Sequence, residues 1–343
     1  MRKVFIDDRI KGVADSYKTE MAKYKDGRIG ALEKLNNSIF YGNLKDSGGK
    51  DVDRTILDKF KSYLSKLIED YRNDRFVLMS PREFEDTHEE YKKELKDDEL
   101  SMKVAFVGKN AIKPFWEWIF DKMGYKRYAR ELAFPTISKS LGIKACVYCN
   151  ANFIITDKNN NGYYELDHWK PKSVYPFLST SFYNLQPCCP HCNKRKSDDL
   201  DGEYMGLYEE DENKKDSLDL FEFSISKGSL VRYFAAKDIS HIKVDFRALK
   251  PDYEDLRKTA DNKLGITGIY NEHIDFVEDM MWRAKFYDYT IIRSMSWYFS
   301  NRWRMIDIDR FKLGTYAKSD EIHKRPLTKF MQDIGKQLKI IKK

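Results

Sequence analysis

The sequence predicts an α+β fold, a mostly helical chain built around a small, cysteine-stapled core near its middle. Three observations predict it. Apolar residues recur at helical spacing over much of the first 135 residues. All five cysteines fall within the 47-residue window 146–192. Most strand-like alternation lies between about residues 140 and 200. With 343 residues the chain has room for two or three domains. Composition divides it into a helical N-terminal domain (1–135), a cysteine-bearing core (136–205) and a mixed, mostly helical, basic C-terminal domain (206–343).

Hydrophobic residues make up 41%, a globular and not a disordered composition. No stretch approaches the roughly 18 unbroken apolar residues of a membrane span. The opening run Met1 to Arg9 returns to charge too early for a secretory signal. A soluble, cytoplasmic protein is therefore expected. The net charge of +7 is mild, but the last 64 residues carry 15 basic and 6 acidic side chains. That bias suits a phosphate-backbone binder, although a solvated lysine-rich surface accounts for it equally well.

In order along the chain, Asp53 is placed to cap a helix whose face is Ile56, Phe60, Tyr63, Leu64, Leu67, Ile68 and Tyr71. The preceding loop, Gly42 to Lys50, lacks the order of a phosphate-binding P-loop, and no other segment supplies one. Any nucleotide hydrolysis would have to come from a partner. Pro81 to Asp98 reads as a helix with a solvated face, and Phe115, Trp116, Trp118 and Phe120 as core. The acidic run Asp198 to Asp216 marks a boundary loop. Phe221, Phe223 and Ile225 alternate as a strand, and Lys227-Gly228 is expected to turn into a second strand through Leu230 to Phe234. A long helix is expected after Asn271, with Ile274, Val277, Met281, Ala284, Ile291, Met295 and Tyr298 on one face.

The central segment carries the chemistry. Cys146/Cys149 and Cys189/Cys192 form two C-x-x-C pairs separated by 39 residues, a spacing that closes a tetrahedral four-thiolate site. Such a site has no open position, so zinc there is structural. Cys188 is left over and reads as a small buried hydrophobe. Between the pairs, a strand through Tyr163 to Leu166 leads into Asp167-His168, and Tyr183 to Pro187 reads as the returning strand. Pro190 suits the first turn of a short helix carrying Asn193 and, one turn later, Lys196. Strand, loop, strand and helix can thus bring Asp167, His168, Asn193 and Lys196 around one cleft. His191 reads as exposed and incidental, and His88, His241, His273 and His323 as structural or surface residues.

These motifs resemble the HNH endonucleases. The resemblance covers Cys146 to Lys196, and the wording Leu166-Asp167-His168-Trp169-Lys170-Pro171, Tyr183-Asn184-Leu185-Gln186-Pro187 and Cys192-Asn193-Lys194-Arg195-Lys196 is most similar to HNH proteins of bacterial Septu and retron-associated anti-phage systems. It implies a ββα-metal core and a nucleic-acid substrate, DNA being expected. It implies His168 as general base, Asp167 and Asn193 as ligands of Mg²⁺ or Mn²⁺, Asn184 as the residue orienting the catalytic loop, and Lys196 with Lys194 and Arg195 on backbone phosphates. Asn193 stands where many relatives have His, which favours a hard ion. The narrower likeness further implies an ATPase partner docked on the helical flanks. The alternative is a catalytically inactive, zinc-stapled binding or adaptor module, which would have little reason to keep Asp167, His168 and Asn193 at these spacings.

Overall fold

The computed structural model describes residues 1–197, 199, 202–286, 294, 297 and 305–341. It is a mixed helix and strand chain in which helix predominates. Helices Asp8–Ala22, Lys25–Asn37 and Arg54–Arg72 open it, and the first and third begin on aspartate caps. Asp7 accepts from the Ile10 amide and Asp53 from the Thr55 amide, each at 2.8 Å. Arg54–Arg72 buries Leu57, Phe60, Tyr63, Leu64, Leu67, Ile68 and Tyr71; Ile56 sits at the edge of that stripe, half-buried. Charge-dense Glu83–Lys92 is helical. Phe115–Met123 buries Phe115, Trp118 and Phe120, with Phe115 stacked on Phe60 at 3.7 Å, while Trp116, expected in the core, is only half-buried at its edge.

Gly124, at φ +73°, then redirects the chain into a wide π-helical segment, Tyr125–Ala133. A Cβ there would lie 2.3 Å from the Tyr128 ring, so the turn requires glycine. The segment continues as helix Phe134–Leu141 and delivers the chain to the first cysteine pair.

The strands form small separate sheets. Leu44–Asp46, Lys103–Phe106 and Lys113–Pro114 make one in the N-terminal region. In the centre, Glu165–His168 pairs antiparallel with Leu185–Cys188, and helix Pro190–Lys196 follows with its proline in the first turn. Asp167 is cross-strand from Gln186, and His168 from Leu185.

Two boundaries differ from expectation. Gly162–Tyr163 belongs to a separate hairpin with Ile155–Thr156, so the Asp-His strand starts at Glu165. The returning strand starts at Leu185 because Phe182–Asn184 is a tight 3-10 turn, closed by the Asn184 amide on the Ser181 carbonyl at 3.1 Å. That turn buries Phe182, Tyr183 and Asn184, and the strand that follows it is buried along its whole length.

A larger correction concerns residues 230–234. Lys227–Ala236 is a helix, and the strand Phe221–Ile225 pairs instead with Val244–Ala248. Leu230 and Tyr233 face inward three residues apart while Val231 is 69% exposed, so the run has helical period. Val244 and Phe246 supply the alternation that completes the sheet. Helix Ile274–Phe286 buries Val277, Met280 and Met281; Ile291, Met295 and Tyr298 lie outside the described residues.

Buried apolar side chains form one continuous cluster from Met1 to Ile341. Val4–Phe5 pairs in parallel with Tyr208–Glu209, just beyond the central helix. Among the described residues no helix is long and apolar enough to cross a membrane.

Candidate metal centre and catalytic cleft

Cys146, Cys149, Cys189 and Cys192 are all buried, and their Sγ atoms lie within 4.8 Å of one another. Thiolates about 2.3 Å from a tetrahedral zinc would stand just under 4 Å apart. Cys149 and Cys189 are at 4.0 Å. Polar hydrogens also point at the sulfurs. The Cys189 amide lies 3.3 Å from Cys146 Sγ and the Ala151 amide 3.4 Å from Cys149 Sγ. Asn152 Nδ2 lies 3.7 Å from Cys149 Sγ and 3.6 Å from Cys189 Sγ. N–H donors around four clustered sulfurs favour thiolates, and four thiolates fit a divalent ion such as zinc. Cys188 is buried outside this cluster, and desolvation pushes its thiol well above the usual range.

The C-terminal region is bound to the first knuckle. Asn150, in the left-handed conformation at φ +53°, donates to the Ile322 carbonyl at 2.9 Å and accepts from the Lys329 amide at 3.1 Å. The Lys144 and Ala145 amides reach the His323 carbonyl at 2.7 and 3.0 Å. Tyr270 donates to the Cys149 carbonyl at 2.7 Å.

Beside the metal centre is a cleft of about 360 Å³ lined by Asp167, His168, Asn193, Lys194 and Lys196. Tyr125, Lys126, Arg130 and Lys172 contribute its other wall. His168 is packed 4.4 Å from the Tyr125 ring, and its Nε2 lies 2.9 Å from the Ser179 carbonyl. A carbonyl only accepts, so Nε2 carries the hydrogen and Nδ1 keeps its lone pair. Burial, reinforced by Lys172 and Lys196, pushes the imidazole down to about 3 against the pull of Ser179, so the ring is neutral near pH 7.

Asp167 accepts from the Tyr148 hydroxyl at 2.5 Å and pairs with the Lys196 ammonium at 3.1 Å. Desolvation raises its carboxyl above the usual range, and Lys196 opposes that rise. Lys196 also donates to the His168 carbonyl at 2.7 Å and is only 3% exposed. It differs here from the expectation of a phosphate-binding side chain: its ammonium is committed to the strand that carries Asp167. Lys194 and Arg195 are exposed. Asn193 is half-buried on the first turn of its helix. Fully buried Asn184 bridges the loop after His168. Its Oδ1 accepts from the Lys170 amide at 2.7 Å, and its Nδ2 donates to the carbonyls of Lys170 and Leu178 at 3.2 and 3.3 Å.

Residues 146–199 match the HNH endonuclease family model. The matched segment spans both cysteine pairs, Asp167, His168 and Asn193, and supports, at family level, a metal-dependent nuclease activity. No curated protein matches the chain. No solved structure matches it either.

Several residues around this cleft carry no local signal in the sequence. Tyr125 donates to the Leu166 carbonyl from 41 positions away, and Arg130 pairs with Glu165 at 2.8 Å. Tyr148 and Gln186 sit inside recognised motifs, between zinc-type cysteines and on the returning strand, but only the fold shows that they converge on Asp167.

Proposed function

We propose that the chain is an endonuclease hydrolysing phosphodiester bonds in nucleic acid, DNA in the first instance, with a structural zinc on the four cysteines. The observation that carries this reading is a neutral, buried His168 whose Nε2 is engaged and whose Nδ1 retains its lone pair, lining one cleft with Asp167 and Asn193. We read the two central strands and their helix as a ββα-metal core.

Water placed against Nδ1 loses its proton to His168 as it attacks phosphorus. The Ser179 carbonyl fixes the ring and strengthens its hold on Nε2–H as the imidazole becomes cationic. Asp167 and Asn193 offer the oxygen ligands that a hard divalent ion accepts when water and phosphate fill its other positions. Bound there, Mg²⁺ or Mn²⁺ would supply charge stabilisation to the phosphate and the leaving oxygen. Asn184 keeps the 170–178 loop at the cleft's edge. Lys194, Lys126 and Lys172 lie where backbone phosphates would approach. Lys196 serves first as the counter-charge of Asp167. The expected product carries a 5′ phosphate and a 3′ hydroxyl.

The similarity of the motif wording to Septu and retron-associated proteins supports a role as the nuclease of an anti-phage system acting in the cytoplasm with an ATPase partner. The helical flanks are the proposed docking surface.

The test is cleavage of plasmid DNA with Mg²⁺ or Mn²⁺ by the chain alone and with its neighbouring gene product, against His168→Ala. We expect about one zinc per chain in both proteins and cleavage only in the unsubstituted one. Equal cleavage would remove His168 from the mechanism. Cys149→Ser should lose zinc and unfold the core, whereas His168→Ala should melt as the parent does.

A further inference from the structure

Asp167 does not reach the cleft unsupported. Its Oδ2 receives the Tyr148 hydroxyl at 2.5 Å, and Tyr148 lies between Cys146 and Cys149, inside the first knuckle. Which way that hydroxyl points is fixed by its neighbours. Gln186, cross-strand from Asp167, accepts the Leu207 amide on Oε1. Its Nε2 is therefore turned toward the Met205 carbonyl at 3.1 Å and the Tyr148 oxygen at 2.7 Å. The phenolic oxygen is occupied as an acceptor from the Gln186 side, which leaves its hydrogen for Asp167. Tyr148 and Gln186 are 4% and 0% exposed, so water does not compete for these bonds.

We infer that Tyr148 is a positioning residue through which the cysteine knuckle holds Asp167 in the orientation needed to ligate the catalytic divalent ion, with Gln186 setting the direction of the hydrogen bond. The inference rests on the ion site proposed at Asp167 and Asn193. It makes the two metal sites one mechanical unit: the backbone that carries two zinc-type ligands also carries the donor that aims the carboxylate. Outer partners of a ligating carboxylate commonly contribute a factor of ten to a hundred in metal affinity.

The test uses the full chain with Tyr148→Phe, which keeps the ring and deletes the donor, and Gln186→Glu, which presents an acceptor to the phenol and draws its hydrogen away from Asp167. Free Mn²⁺ would be titrated by electron paramagnetic resonance, and zinc content and melting measured in parallel. We expect both variants to keep one zinc and to bind Mn²⁺ roughly 10- to 100-fold more weakly than the parent. The double variant should be little worse than either single one, because both break the same bond. Unchanged Mn²⁺ affinity with zinc retained overturns the inference and leaves the ion site standing. Loss of zinc in Tyr148→Phe assigns the residue to the knuckle's own folding and also overturns it. A parent that binds no Mn²⁺ removes the ion site itself, and the inference with it.

Discussion

His168 is a buried ring with one nitrogen committed to a carbonyl, and that combination sets how its activity should respond to pH. An exposed histidine changes charge near pH 6.5. Burial moves His168 down to about 3, so the proton-accepting form is present throughout the neutral range and is lost only well into acid. The kcat/KM profile, which reports the free enzyme, should therefore show no acid limb between pH 6 and 8. An inflection near 6.5 in the profile of the unsubstituted protein would place the ring in water and contradict the packed geometry. The local pattern makes part of this cleft legible. Asp167-His168 and Asn193 are conspicuous in the sequence because the proposed metal and proton chemistry requires those residue types close together. Tyr148, Gln186 and Tyr125 are not, because their contribution is a hydrogen bond whose partner is chosen by the fold. Lys196 shows the opposite case. Its residue type suggests phosphate, but a lysine one turn beyond Asn193 reaches back over the strand and neutralises Asp167 before any substrate arrives.

At the scale of elements, the first knuckle is held by more than its cysteines. Asn150 adopts φ +53° and uses both ends of its amide, on the Ile322 carbonyl and the Lys329 amide, while its own carbonyl accepts from Leu327. Asparagine tolerates that backbone better than most residues. Asn150→Gly should keep the backbone and lose the side-chain bonds, costing on the order of 1–3 kcal/mol in urea unfolding. Asn150→Ala should add roughly 1 kcal/mol of left-handed strain. Equal stability of parent and glycine variant would show that the strap does not depend on this side chain. Elements are also where sequence pattern and structure part company. The stretch Leu230 to Phe234 is short and apolar, and a run of that length satisfies either period. What decides it is tertiary: Val244–Ala248 is the better partner for Phe221–Ile225, and the intervening residues then pack as a helix. By contrast the capped helix after Asp53 has five turns of consistent spacing, enough for the pattern alone to fix its face.

Across the whole molecule, His323 joins three distant stretches of chain. Its Nε2 donates to the Arg2 carbonyl at 2.9 Å, and its own carbonyl receives the Lys144 and Ala145 amides that lead into the knuckle. Its Nδ1 is buried without a hydrogen-bond partner among the described residues. A second proton there would place an unsatisfied N–H and a charge in the interior, and desolvation accordingly lowers the imidazole to about 4. The sign follows from linkage. The folded value lies below the unfolded value of about 6.5, so the unfolded chain binds the proton more readily. His323's contribution is fully present above pH 6.5 and is lost as pH falls toward 4, by on the order of 3 kcal/mol over that window. His323→Gln keeps a donor for Arg2 and cannot titrate. Urea unfolding at pH 7, 6, 5 and 4 should therefore show the parent losing stability faster than the variant between 6.5 and 4, with the two curves parallel above 7. Buried His168 and the paired carboxylates add acid sensitivity to both proteins, so the difference between the curves isolates His323. Curves that stay parallel down to pH 4 would mean that the ring gains a proton in the folded protein as readily as in the unfolded chain, and the junction of residues 2, 145 and 323 would then be open to water.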